Sequence, residues 1–476
     1  MTWSRPLLSH LFKSLAFLAS LPLAAASYAE DVDDSKDPEK EKVPAWDVEN
    51  PPGPTHSQAI DVTEGTWISL DVSPDGSEIV FDLLGDLYRM PIDGADGTDG
   101  LYPEKLTEGM AWDMQPRYSP NGKTIAFTSD RTGKGKLAGD NIWLIELEDG
   151  TFSQVTDEPY QLLNGPAWSP DGNYVVARKH FTSRRSLGAG EMWLYHRSGV
   201  DANAQGGVQL IKKPTEQKDI NEPVFSPDGK YLYYSEDVSP GTEFKYNKDP
   251  HKQIYAINRI ELATDETEPY ITGPGGACRP TPSPDGKTIA FVRRIDGKTG
   301  LHLFHTETGA IRLLNDQLER DMQETWAIHG VYPAFEWTPE GEYIIIWARG
   351  KIRKVSVADG SESVIPFHIT DKRRVSEALR NPVAVAPDEF DVRLLRWTHV
   401  TPDGSQVLFQ ALGHLYIRDL PDGEPRRLTD QNSHFEMFPS VSRDGRYVVY
   451  TTWNDSELGS VQVASLDRGL NKEECG

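Results

Sequence analysis

The chain has only two cysteines in 476 residues, Cys278 and Cys475. Two thiols so far apart make no disulfide framework even in an oxidising compartment, and neither belongs to a CxxC pair of metal-binding spacing. Basic charge is also scarce: 49 Lys and Arg stand against 73 Asp and Glu, a formal net charge of −24. A net-negative surface repels phosphate backbones, which excludes nucleic acid as an expected partner. Short basic runs such as Lys372-Arg373-Arg374 read as solvated loop. After the N-terminal leader no stretch approaches the ~18 apolar residues of a membrane-crossing helix. Nor does any stretch of about 20 residues hold a helical period. Catalytic signatures are missing as well: G-x-S-x-G, H-E-x-x-H, the P-loop and the dinucleotide glycine fingerprint do not occur. His302 and His305 form an H-x-x-H, but on a strand that spacing sends the two rings to opposite faces. No catalytic residue, metal site or cofactor is expected.

What the chain has in abundance is one turn. Ser73-Pro74-Asp75-Gly76 returns as Ser119-Pro120-Asn121-Gly122, Ser169-Pro170-Asp171-Gly172, Ser226-Pro227-Asp228-Gly229 and Ser283-Pro284-Asp285-Gly286. Three looser copies follow: Thr338-Pro339-Glu340-Gly341, Thr401-Pro402-Asp403-Gly404 and Ser442-Arg443-Asp444-Gly445. Proline pre-sets φ, Asp or Asn bonds its own backbone, and glycine takes positive φ without strain. The third and fifth residues after each glycine are mostly β-branched or aromatic, from Ile79 and Phe81 to Val448 and Tyr450. That period of two lays them on one face of a strand. A third strand, such as Asn141-Ile142-Trp143-Leu144, and often a fourth, such as Arg427-Leu428-Thr429, complete the unit. Four strands in roughly 40–50 residues is the period of a propeller blade. The expected fold is all-β, a β-propeller of seven to eight four-stranded blades, with eight the preferred count.

In chain order, residues 1–29 read as a secretory signal peptide, with Arg5 and Lys13 before an apolar run and Ser27-Tyr28-Ala29 before the cut. The mature chain is therefore expected to be periplasmic or secreted. Residues 30–56 read as a disordered acidic leader and a proline-rich lead-in, and residues 57–476 as the propeller. The last blade lacks an obvious fourth strand, so the segment Ala59 to Thr63 is expected to close the ring by pairing with Ser460 to Ala464.

Candidate binding residues lie where the innermost strands begin. Pro116, Pro166, Pro223, Pro280 and Pro439 each stand three residues before their Ser, which marks a ring of strand starts at one mouth of the channel. Near those starts lie Trp112, Asp113, Asn221, Glu222, Arg279, His329, His434 and Glu436. Converging aromatic and charged side chains suit a protein, peptide or glycan at the mouth; the alternative is that they pair among themselves or stand in channel water.

The turn with its following strands resembles the TolB-type propeller repeat, found in TolB, in tricorn-type proteases and ahead of several hydrolase domains. Longer phrases resemble exported proteins that join a TolB-like region to a C-terminal amidohydrolase. These phrases are Trp46-Asp47-Val48-Glu49-Asn50-Pro51-Pro52-Gly53, the run Ile60 to Trp67, Ile328-His329-Gly330-Val331-Tyr332-Pro333, Phe390-Asp391-Val392-Arg393 and Thr451 to Ser460. The likeness runs from about Trp46 to about Ser465. It implies a hydrolase ancestry, yet the His-x-His pair that opens the family's metal site is absent. The chain alone is therefore expected to be a binding scaffold or substrate-gating region. The alternative is the non-catalytic portion of a metal-dependent amidohydrolase whose catalytic domain is truncated or encoded separately, and such a domain would then be a partner.

Overall fold

The computed structural model describes residues 47–131, 139–158, 162–182, 188–199, 206–377, 383 and 385–466. The leader, the charged stretch after it, Trp46 and Cys475 lie outside these residues. Among the described residues every regular element is a strand or an isolated bridge.

Each turn works as its composition dictates. In the first, the Ser73 hydroxyl donates to Asp75 Oδ1 at 2.6 Å and accepts the Glu78 N–H at 2.9 Å. Gly76 takes φ +74° and donates its N–H to the Ser73 carbonyl at 2.8 Å. The same hydroxyl-to-carboxylate bond recurs in the turns at Asp171, Asp228, Asp285, Asp403 and Asp444. One strand enters each turn and the next leaves it, antiparallel, as with Leu70–Val72 and Glu78–Leu83.

Eight such sheets result, seven of four strands and one of three, so the all-β propeller architecture is present. The chain divides into two compact units, residues 1–378 and 379–476. The first holds six four-stranded sheets, and these close on themselves. A Cβ built on each turn glycine would meet the proline of the preceding turn: Gly122 meets Pro74, Gly172 meets Pro120, Gly229 meets Pro170, Gly286 meets Pro227 and Gly341 meets Pro284. The series then returns to its start, because Gly76 meets Pro339. The apolar contacts follow the same circle. Val80 packs with Ile125 and Phe127 of the next sheet, Ala126 with Val175 and Ala177, and Tyr233 with Ile289 and Phe291. Ile345 of the sixth sheet shares a cluster with Ile79 and Phe81 of the first. Six blades thus close a ring within the first unit, where seven or eight were expected.

The second unit holds a four-stranded sheet from Arg396–Val400 to Arg426–Arg427, and the three-stranded sheet Phe435–Val441, Tyr447–Asn454, Leu458–Ser465. Its core is Leu408, Leu415, Ile417, Leu428, Val448 and Tyr450.

The expected closing pair is not formed. The strand Thr55–Val62, which contains most of the Ala59 to Thr63 segment, pairs along its whole length with Ile369–Ser376, from Thr55 opposite Ser376 to Val62 opposite Ile369. The partner comes directly after the sixth blade, so the two chain segments flanking the ring hold each other. Leu458–Ser465 keeps one unpaired edge among the described strands.

Candidate functional site: the strand-start mouth of the six-bladed ring

The innermost strands of four blades carry the same irregularity. Their ladders slip at the repeat proline, between Met114 and Arg117, Asn164 and Ala167, Asn221 and Val224, and Cys278 and Thr281. Inside each slip one residue takes positive φ: Gln115 (57°), Gly165 (62°), Glu222 (59°) and Arg279 (54°). The following proline bars the right-handed helical region for that residue, and a bulge re-aims its side chain and N–H. The Glu222 N–H bonds Asn221 Oδ1 beside it, at 2.9 Å, and the other three N–H groups turn to the neighbouring blade. Gln115 donates to Asp82 Oδ2 at 2.8 Å, Gly165 to Gln115 Oε1 at 2.8 Å, and Arg279 to Glu222 Oε2 at 2.6 Å. Each buried acceptor thus latches one blade to the next.

The same side chains hold a segment of the chain itself. Residues 316–335, between the last strand of the fifth blade and the first of the sixth, cross this mouth. Asn221 Nδ2 donates to the Ala327 carbonyl at 2.9 Å, and Gln115 Nε2 to the His329 carbonyl at 2.7 Å. Val331 N–H donates to Glu222 Oε1 at 2.6 Å, and Arg279 Nε donates to the Tyr332 carbonyl at 2.7 Å. Ser235 Oγ adds another donor to Glu222 Oε2, at 2.6 Å, and the Arg279 guanidinium lies 3.3 Å from Oε1. Arg294 fixes the start of the segment through Asp321 Oδ1 at 2.6 Å. The Tyr332 ring packs beside Trp67 and Trp347, at centroid distances of 5.7 and 6.4 Å.

Beside this strap the mouth keeps an open cavity of about 380 Å³, lined by Trp67, Asp82, Trp112, Gln115, Asp140 and His329 among others. Trp112 is 49 % exposed, while its N–H is held by Asp130 Oδ1 at 2.8 Å. His329 Nε2 lies 3.2 Å from Asp140 Oδ2. Asp113 is fully buried between Ser129 Oγ at 2.5 Å and the Arg131 guanidinium at 2.6 Å. Burial pushes the Asp82 carboxyl up to about 7, against the pull of the Gln115 and Ser69 N–H groups and of His329.

Across the constriction, the channel opens on the turn side into a second cavity of about 360 Å³, whose wall includes the six turn prolines. At its floor Arg117 lies between Asp71, at 3.5 Å, and Glu336, at 3.1 Å. Burial raises Glu336 to about 7, with Arg117 opposing, and raises Asp71 as well.

Six of the eight sequence candidates are thus in the ring. Trp112, Asp113 and His329 line the open cavity, whereas Asn221, Glu222 and Arg279 bind the strap. His434 and Glu436 belong to the second unit. His434 lies 2.6 Å from Glu457 Oε2 and 2.7 Å from Asn454 Nδ2, and Glu436 accepts the Leu415 N–H at 2.7 Å. Trp67, Asp82, Gln115 and Asp140 were not among the candidates. Gln115 was readable as the residue before a repeat proline. Asp82 had no such mark, since it looks like one more residue of a strand. Among the described residues no group of three or more His, Cys, Asp or Glu is placed to hold a metal ion.

The described residues have a β-propeller fold built of repeated four-stranded sheets. No protein-family model matches it. It is 30 % identical over 177 residues to the uncharacterized peptidase YuxL of Bacillus subtilis, covering 32 % of this chain and 25 % of that protein. It is likewise 30 % identical over 171 residues to the uncharacterized protein Atu1656 of Agrobacterium fabrum, covering 34 % of this chain and 52 % of that one. The chain thus spans about a quarter and about half of these two relatives. Among solved structures it is similar to TolB from Acinetobacter baumannii, with a TM-score of 0.43, 18 % identity, and coverage of 65 % of this chain and 66 % of that one. The tricorn protease gives a TM-score of 0.42 at 12 % identity, covering 85 % of this chain and 44 % of that one.

Proposed function

We propose that this chain is an exported binding and gating propeller that receives a protein, peptide or glycan segment at the strand-start mouth and performs no catalysis itself. One observation carries the reading: the cavity beside the strap combines an exposed indole with polar groups whose positions are fixed by buried bonds. Trp112 offers an apolar face, while His329, Asp140 and Gln115 offer hydrogen-bonding atoms around it. Aromatic surface with a few fixed polar groups is the usual make-up of a recognition pocket. The strap adds to the case, since residues 316–335 cross the same mouth and are held there by its side chains, as a bound chain segment would be. The signal-like leader supports export, and no helix among the described residues is long and apolar enough to cross a membrane.

The alternative, a substrate-gating portion of a hydrolase, draws on the similarity to YuxL, whose name calls it a peptidase. In that reading the same mouth admits substrate to a catalytic domain elsewhere. Selection of random peptides and a glycan array against the purified chain tests both. Binders are expected to lose at least tenfold in affinity to Trp112→Ala. A screen without binders, or binders indifferent to Trp112→Ala and His329→Ala, overturns the assignment of this mouth.

A further inference from the structure

The turn-side cavity of the ring has a floor that the repeat itself lays out. Two residues before each turn Ser or Thr, the six inner strands place Asp71, Arg117, Ala167, Val224, Thr281 and Glu336. All six line the channel. Equivalent positions of successive blades form one layer, about 7 Å below the ring of turn residues by the rise of a strand. Charge stands only in the half of this layer around the seam between the sixth and first blades. The other half is Ala167, Val224 and Thr281, small or apolar side chains that leave room above them.

The three charges of the layer do not balance. Arg117 Nη2 donates to Glu336 Oε2 at 3.1 Å, whereas Nη1 makes no hydrogen bond and lies 3.5 Å from Asp71 Oδ1. One guanidinium thus serves two carboxylates. Among the described residues no other cation forms an ion pair with either acid, and Arg279, further along the channel, pairs with Glu222. Burial raises the Glu336 carboxyl to about 7 and raises Asp71 too, so the layer holds a proton where a second cation would serve. Glu336 keeps 23 % of its side chain exposed and can be reached from the cavity.

The wall above is apolar. Six turn prolines line it with the rings of Trp168, Phe225 and Trp337. Both indole N–H groups are spent, on the Arg117 and Thr281 carbonyls. The hydroxyls of Ser73, Ser119 and Ser226 are held by their own turn side chains. We propose that this cavity of about 360 Å³ binds a primary ammonium group on an unbranched aliphatic stem, with its head at Asp71 and Glu336 and its stem between the prolines. The four-carbon stem of a lysine suits the depth, and the compact ammonium suits the open half of the floor. An anion would meet surplus negative charge, and a polyol would meet proline and indole surface. This site is distinct from the strand-start mouth, because the constriction at Gln115, Glu222 and Arg279 lies between them.

Calorimetric titration of the full chain with n-pentylamine, cadaverine and Nα-acetyl-lysine methylamide tests the proposal. Saturable binding at one site is expected, with none for pentan-1-ol or pentanoate at the same concentrations. Affinity should rise about tenfold from pH 6 to pH 8, because Glu336 loses its proton there while the amine keeps its own. Glu336→Gln keeps the size of the side chain and should lower the affinity at least tenfold and remove most of that pH dependence. The pH profile and the alcohol control use the unmodified chain, so they stand however the variant folds. Tighter binding of the lysine derivative assigns the site to a lysine of a partner polypeptide, and tighter binding of the simple amines assigns it to a free amine; both support the site. Absence of saturable amine binding, equal binding of pentan-1-ol, or amine binding unmoved by Glu336→Gln overturns the inference.

Discussion

A Cβ built on Gly76 would lie 3.0 Å from Cδ of Pro339, although one belongs to the first turn of the ring and the other to the sixth. The Leu70 N–H donates to the Ala334 carbonyl at 3.1 Å across the same seam. The seam has no covalent link of its own, so its strength depends on such contacts and on Ile345 packing against Ile79 and Phe81.

Gly76→Ala is therefore expected to cost more than Gly404→Ala. Both glycines have φ near +75°, so both pay about 1 kcal/mol of backbone strain. Only at Gly76 must a neighbouring turn also move, and a further cost of about 1 kcal/mol is expected from that crowding. Urea denaturation of the two variants measures the difference, and equal losses would remove the seam contact from the explanation.

Glu222→Ala should release the strap. The carboxylate accepts from Ser235, Arg279, Val331 and Tyr332 and faces the Arg279 guanidinium, all of which would lose a buried partner. Leaving a buried cation and N–H groups unpaired costs about 3–5 kcal/mol. Hydrogen exchange is expected to quicken across residues 327–335 before it does so in the blade strands.

Asp82 and Glu336 should each give the ring a stabilising contribution that grows as pH falls from 7.5 to 5. Asp82 and Glu336 are both raised to about 7 from ordinary values of 3.8 and 4.5, chiefly by burial. At these two carboxyls the folded state binds more protons than the unfolded chain between those limits, so their contribution to stability falls as pH rises through the window, by about 2 kcal/mol each. His180 and His302, which burial pulls down to about 3 and about 4, contribute in the opposite direction, because there the unfolded chain binds more protons. Turn carboxylates such as Asp75 and Asp403 do not interfere, because their hydrogen bonds hold them near 2, and their contribution is lost only in stronger acid. Calorimetry across this range reads the difference between variants: Asp82→Asn should remove its share of the stabilisation by acid, and an unchanged pH dependence would overturn the assignment.

Removing residues 55–62 should loosen Ile369–Ser376, the only described strand paired with Thr55–Val62. Faster exchange is expected in residues 369–376, with Leu458–Ser465 unchanged. Protection lost at Leu458–Ser465 instead would restore the pairing expected from the sequence.

The reading of the site shows where local pattern stops being informative. Trp112, Asp113 and His329 were found because they stand near strand starts that the repeat prolines mark. Asn221, Glu222 and Arg279 were found by the same rule, yet they hold residues 327–332, more than one blade away in the chain from Asn221. Their type and position are the same as those of ligand-binding groups. Only the path of the strap tells the two sets apart. Asp82 was missed because its acidity matters through the Gln115 N–H of the next blade, a contact no local pattern encodes.

The amino-acid sequence by itself determined the turn, the strand that follows it, the face each side chain takes and the repetition of the unit, because these depend on residues within a few positions of one another. The Ser, Asp and Gly of each turn bond to one another, and β-branched residues two apart share a face whatever lies beyond. Tertiary structure alone decided that six blades close, that the strand beginning at Thr55 pairs with Ile369–Ser376, and that the last two sheets form a compact unit of their own. Closure is set by the angle at which successive sheets pack and by whether the last open face meets the first. Each junction uses the same residue types, so the pattern of an interior blade and that of a closing blade read alike. The sixth closes because Ile345 reaches Ile79 and Phe81 once the wedge angles have accumulated through a full turn.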